Sequence, residues 1–178
     1  MTHPALQIPE SVRSSCVAIG NFDGVHRGHI ELLNGLRALA DSSNCAAVVV
    51  TFDPHPIAVL RPEVGPPVLT TNAERQRLLR AAGADHVVVL PVTRELLAMS
   101  AEEFFADVLV QQFQARGIVE GPNFRFGRDR QGDVVLLRHL CQLARITCRI
   151  VEPLDDTGEM ISSSRIRTLL CQRALRDA

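Results

Sequence analysis

Cys45–Phe52 reads C-A-A-V-V-V-T-F, with none of the polar alternation of a strand that faces water on one side. A run this short and this apolar is a strand covered on both faces, the condition of a parallel sheet held between helix layers. Strand-sized runs recur at Cys16–Gly20, His86–Leu90, Gly117–Glu120 and Ile146–Val151. Helical patterns separate them. One runs from about Gly28 to Ala40, with Leu32, Leu33, Leu36 and Leu39 on a single face. Thr71-Asn-Ala-Glu74 has the form of a capping box and opens a helix ending at Gly83. Ser100-Ala-Glu-Glu103 is a second such box, followed by a helix with Phe104, Phe105, Val108 and Leu109 inward. Asp133–Ala144 is a further helix, and a last one starts at Ser163 or Ser164 and runs to the C-terminus. Strand and helix alternate throughout, which predicts an α/β fold, a Rossmann-like doubly wound parallel sheet. Pro54–Pro67 holds five prolines and is predicted to be a small loop-rich insertion.

A length of 178 residues predicts one domain, large enough for a core without disulfide or metal staples. The net charge of −1 supplies no electrostatic footprint for nucleic acid or an anionic membrane. The first residues, M-T-H-P-A-L-Q-I, lack the basic start and apolar stretch of a secretory signal, and no apolar run is long enough to span a bilayer. The five cysteines form no C-x-x-C pair and are expected to be reduced thiols in a cytoplasmic protein. All 19 basic residues are Arg. Without Lys, neither a P-loop nor a pyridoxal-phosphate Schiff base is possible. Any polyphosphate chemistry in such a chain must therefore run on Arg, His, backbone N–H groups and a metal ion.

Ligands of doubly wound sheets lie beyond the carboxyl ends of the strands. The chemically unusual residues fall there, in Asn21–His29, Asp53–Pro56, Asn123–Arg130 and Ser162–Arg167. Gly20-N-F-D-G-V-H-R-G-His29 ends a strand and starts a helix, a place where backbone N–H groups and the helix dipole favour phosphate. His26 and His29 are three apart, so in a first helical turn they project to one side and can donate to phosphate oxygens. In Ile161-S-S-S-R-I-Arg167 the hydroxyls are ordinary helix caps, but an Arg fork suits phosphate. Arg167 is assigned to the site and Arg165 to the surface.

His26-R-G-His29 resembles the H-x-G-H signature of the nucleotidyltransferase superfamily, and I-S-S-S-R-I-R resembles its I-S-S-T-x-I-R motif, with Ser in place of Thr. F-D-G-V-H at Phe22–His26, T-F-D-P-H-P at Thr51–Pro56 and N-F-R-F-G-R-D-R-Q-G-D at Asn123–Asp133 are similar to the FMN adenylyltransferase module of prokaryotic FAD synthetases. This resemblance spans about residues 13–173. It implies the nucleotidyltransferase fold and the reaction ATP + FMN → FAD + pyrophosphate, with Mg²⁺ carried on ATP. It places Gly20, Asn21, Phe22, Asp23, Gly24, His26, Gly28, His29, Ser162, Ser163, Ser164 and Arg167 around ATP, with His26, His29, Ser163 and Arg167 as the catalytic set. It places Phe52, Pro54, His55, Pro56, Asn123 and Phe126 on the FMN side.

Some assignments stay open in the sequence. Phe124 and Phe126 alternate and share a face, either as walls for a flat ring or as core. His55 between two prolines is either a binding group or structural. Arg125, Arg128 and Arg130 either neutralise the FMN phosphate or solvate their loop. Asp23, Asp53 and Asp133 are the candidate metal ligands, but no dedicated cage is expected, and D-R-Q-G-D reads as a turn. The residues after Arg173 do not encode the riboflavin kinase barrel of the family's bifunctional members, so no kinase activity is expected of this chain, whether it is a stand-alone enzyme or a piece of a longer one. The rival readings are another H-x-G-H transferase, acting on nicotinamide mononucleotide, phosphopantetheine or a cytidylyl acceptor, and a non-catalytic nucleotide or flavin sensor. The sequence sets no oligomeric state.

Overall fold

In a computed structural model, which describes residues 8–152, 155–156 and 159–173, the apolar runs form one parallel sheet. Its strands are β1 (Cys16–Ile19), β2 (Ala47–Asp53), β3 (His86–Pro91), β4 (Gly117–Glu120) and β5 (Thr147–Ile150), in the order β3-β2-β1-β4-β5. The helices are α1 (Arg27–Ser42), α2 (Pro56–Leu60), α3 (Asn72–Ala81), α4 (Arg94–Ala98), α5 (Ala101–Glu103), α6 (Val134–Ala144) and α7 (Ser163–Cys171). A two-stranded antiparallel ribbon, β6 (Asp155–Asp156) with β7 (Glu159–Met160), lies between β5 and α7 in the chain.

Strand alternation divides the core in two. Cys16, Ala18, Ala47 and Val49 pack with Leu33, Leu36 and Leu79, from α1 and α3. Val17, Ile19, Val48 and Val50 pack on the other face with Phe104, Phe105, Val108, Leu109 and Leu137. Layers on both faces explain why the central strands are apolar along most of their length, with Thr51, Asp53 and Glu120 confined to their carboxyl ends. The close approach of α1 to the sheet needs glycine, since a Cβ on Gly35 would stand 2.7 Å from the Val151 side chain.

Several elements differ from the sequence expectation. The proline-rich stretch is not all loop: Pro56 starts α2 and Pro62 starts a 3₁₀ turn, Pro62–Val64. Proline at the first helical position has no N–H to lose. α5 runs directly into a wider π-wound segment, Phe104–Gln112, closed by Phe113 N–H donating to the Val108 carbonyl at 3.0 Å. Phe104, Phe105, Val108 and Leu109 are buried there, as the pattern requires. The Ser100 box is complete in both directions. At Thr71 only the cap forms, because the Glu74 carboxylate binds Arg77 instead. The last helix, expected to run to the C-terminus, stops at Cys171, where the Gln172 N–H donates back to the Thr168 carbonyl at 3.0 Å and Arg173 turns to a φ of 60°.

Candidate active site

The sheet order reverses between β1 and β4, and there a cavity of about 420 Å³ opens at the carboxyl ends of the strands. Its wall combines Ile19–Asp23, the start of α1, His55 and Ile57, Glu120–Phe124, and Ile161–Ser164 with Arg167. Three of the four sequence segments singled out for chemistry meet here directly, and Asp53–Pro56 contributes His55.

The loop from β1 to α1 is held in a costly backbone shape. Phe22 and Val25 have φ of 47° and 40°, beside Gly24 at 84°. Positive φ is unfavourable for a bulky or β-branched residue and persists only when surroundings enforce it. Both side chains are buried, which supplies that enforcement. The loop delivers His26 as the residue before α1, a helix whose start no side chain caps. The imidazoles of His26 and His29 stack with centroids 3.6 Å apart and planes at 18°. Gly28 permits this, since a Cβ would lie 3.3 Å from the His26 ring. Burial lowers the pKa of both rings. His29, pressed further by its neighbour His26, falls to about 3. Both are therefore neutral at pH 7. Their Nδ1 atoms and Asn21 Oδ1 are buried without a hydrogen bond among the described residues.

Asp23 is the hub beneath this loop. Its carboxylate accepts from the backbone N–H groups of Leu69 (2.9 Å) and Thr70 (3.0 Å), and from the Thr70 hydroxyl. It also pairs with Arg75 at 3.1 Å and Arg167 at 2.5 Å. Burial alone would raise its pKa, but these hydrogen bonds outweigh burial and hold it below the ordinary carboxylate value. Asp23 is thus engaged by two arginines and by backbone where it meets the cavity wall. Arg167, expected at the triphosphate, lines the cavity while tied to Asp23 and to the Pro67 carbonyl. Ser163 donates to the Asp23 carbonyl at 2.8 Å, Ser162 caps α7, and Ser164 is exposed on the cavity wall. Gly24, expected at ATP, is not part of that wall; its N–H donates to Thr70.

On the side expected for FMN, the structure redistributes roles. His55 Nδ1 accepts from Ile57 N–H and so caps α2, while the residue also lines the cavity. Phe52, Pro54 and Pro56 stand back from the cavity wall, which Ile57 forms instead. Phe124 and Phe126 do share a side, stacked with centroids 5.3 Å apart. Phe126 is the inner of the two, buried against Phe104, because its backbone is bridged to Gly132. Phe124 is the ring that reaches the cavity, together with Asn123. Asp133 caps α6 and pairs with Arg125, and Arg130 lines the cavity. Among the described residues, no three His, Cys, Asp or Glu side chains converge to hold a metal. No described helix is long and apolar enough to cross a membrane.

Sequence reasoning missed Arg75 and Glu120. Arg75 sits in a helix that reads as solvated, and only the fold brings it to Asp23. Glu120 did leave a signal, a lone acid closing the apolar strand G-I-V-E.

A family model described as FAD synthetase matches residues 8–165. The bifunctional riboflavin kinase/FMN adenylyltransferase of Escherichia coli (strain K12) is 33% identical over 164 residues, 92% of this chain and 52% of that protein. The FAD synthetase of Listeria monocytogenes is 31% identical over 179 residues, 100% of this chain and 72% of that protein. A crystal structure of a protein described as a macrolide-efflux protein from Streptococcus pneumoniae superposes with a TM-score of 0.79 at 30% identity, covering 92% of this chain and 52% of that one. The chain spans about half the length of the bifunctional relatives it matches. With the match to the family model covering most of its length, this chain belongs to the FAD synthetase family.

Proposed function

We propose that this chain is an FMN adenylyltransferase, transferring AMP from ATP to the phosphate of FMN, and that residues 13–173 are its adenylyltransferase domain. The observation that carries the reading is the convergence of the stacked His26–His29 pair, the start of α7 with Arg167, and the Asn123–Phe124 wall on one cavity at the sheet's switch point. An oxygen of the FMN phosphate attacks the α-phosphorus of ATP, the bond to the bridging β-oxygen breaks, and pyrophosphate leaves with that electron pair. The second pKa of a phosphate monoester is about 6, so the nucleophile is mostly dianionic at neutral pH and needs no general base. The protein's task is to align two anions and offset their repulsion.

His26 and His29, as neutral imidazoles, each offer one N–H donor to phosphate oxygens. Arg167 brings positive charge, and its guanidinium carries N–H groups beyond those engaged by Asp23 and Pro67. Mg²⁺ bound to the triphosphate would supply further charge neutralisation beside His26, His29 and Arg167. Incubation with ATP, Mg²⁺ and FMN is expected to give FAD and pyrophosphate in equal amounts, followed by chromatography. No FAD at micromolar enzyme overturns the proposal.

A further inference from the structure

β1 and β4 part at their carboxyl ends. Their pairing is Cys16 with Gly117 and Val17 with Ile118, whereas β1–β2 pairing continues to Ile19 and β4–β5 pairing to Glu120. The Ile19 N–H in this gap is taken by a side chain: it donates to Glu120 Oε1 at 2.8 Å. Glu120 is 2% exposed and belongs to the cavity wall. Among the described residues, its second oxygen takes no hydrogen bond. Phe124, Leu32 and Ile161 line the same cavity with apolar surface, suited to a flat ring.

A buried carboxyl with one oxygen engaged and the other facing a ligand cavity has two possible states. As an anion it would lie desolvated in a pocket built for phosphates, which is unfavourable twice over. As a neutral acid it has one O–H to donate. Burial pushes Glu120 well above the usual carboxylate range, and the nearby Cys148 adds to this against the opposing Ile19 N–H.

We infer that Glu120 is a positioning and specificity-determining residue, donating a hydrogen bond from its second oxygen to an acceptor nitrogen in the heteroaromatic ring of a bound substrate. The inference rests on the proposal that the cavity takes ATP and FMN. Both rings carry such nitrogens, and the experiment separates them. Wild type, Glu120→Gln and Glu120→Leu are titrated by calorimetry with FMN and with a non-hydrolysable ATP analogue. Each titration is repeated with deaza analogues in which a ring nitrogen is replaced by carbon. Glu120→Gln keeps an acceptor for Ile19 and a neutral N–H donor, and is expected to bind both ligands within about threefold of wild type. Glu120→Leu is expected to weaken one ligand by at least about tenfold, the order of an unmet buried acceptor. That ligand's deaza analogue is expected to bind wild type about tenfold more weakly and to lose nothing further in Glu120→Leu. In turnover the change is expected in KM, with kcat within about threefold.

Unchanged binding of both ligands by Glu120→Leu overturns the inference, as does equal weakening of every native and deaza ligand. If Glu120→Leu does not fold, wild-type indifference to all the deaza analogues overturns it. Failure of wild type to bind either native ligand overturns instead the proposed function on which it rests.

Discussion

His29 is worth most in this site when it carries no charge. The cavity wall desolvates its ring and a second imidazole stacks on it, so proton affinity falls until the group is neutral throughout the working range. A neutral donor fixed at the start of a helix needs no reorganisation when phosphate charge develops. His29→Ala is therefore expected to lower kcat by about 10²–10³, the size typical of deleting one such donor, with KM for FMN little changed. A loss smaller than threefold in steady-state turnover would remove the residue from the mechanism. The same depression has a stability consequence. Its folded value lies below the unfolded one, so the contribution is complete above pH 6.5 and is lost as pH falls through about 3. Urea midpoints of wild type should drop across that window, and those of His29→Asn should drop less steeply. Much of this site could be read from the chain, because the two histidines and the glycine between them act locally. Arg75 and the inward turn of Phe126 could not, since each is decided by a partner far away in sequence, Asp23 and Phe104.

At the scale of elements, the strands were legible because burial on both faces leaves continuous apolar runs, and α1 and α6 because their apolar residues recur at helical spacing. The proline-rich stretch was the failure. Proline density marks a loop only when the prolines fall inside helices, and Pro56 falls at the first position of one. What fixes α2 is the residue before it, His55, whose ring stands where Ser or Asp more commonly caps a helix. This gives His55 two separable duties. His55→Asn retains a capping oxygen and His55→Ala does not. Hydrogen exchange at Arg61, whose N–H donates to the Ile57 carbonyl at 2.7 Å, should accelerate strongly in His55→Ala and little in His55→Asn. FMN affinity should fall in both variants if the ring itself meets the ligand. Affinity retained in His55→Asn would leave only the capping role.

For the whole molecule, Asp23 is the point at which distant segments are tied together. Its side chain joins the β1–α1 loop to Leu69 and Thr70, to α3 through Arg75 and to α7 through Arg167, while its carbonyl holds Ser163. Two arginines around one buried carboxylate leave a net positive corner, which suits the entry of an anion. On the proposed function, an Arg167 turned toward a bound phosphate would leave Arg75 to compensate the Asp23 charge. The proposed function therefore gives Arg75 the part of a positioning residue. The expectation at this scale follows from what removal leaves behind. Asp23→Ala strands two mostly buried guanidinium groups, with side-chain exposures of 8% and 14%, and should cost about 3–5 kcal/mol in urea unfolding. It should also weaken ATP, because α7 and the histidine loop lose their common anchor. Adding Arg75→Met to Asp23→Ala should recover part of the stability by removing one stranded charge, while ATP affinity stays low. A loss under about 1 kcal/mol for Asp23→Ala would mean that water reaches the corner and that the segments are held by their apolar packing alone.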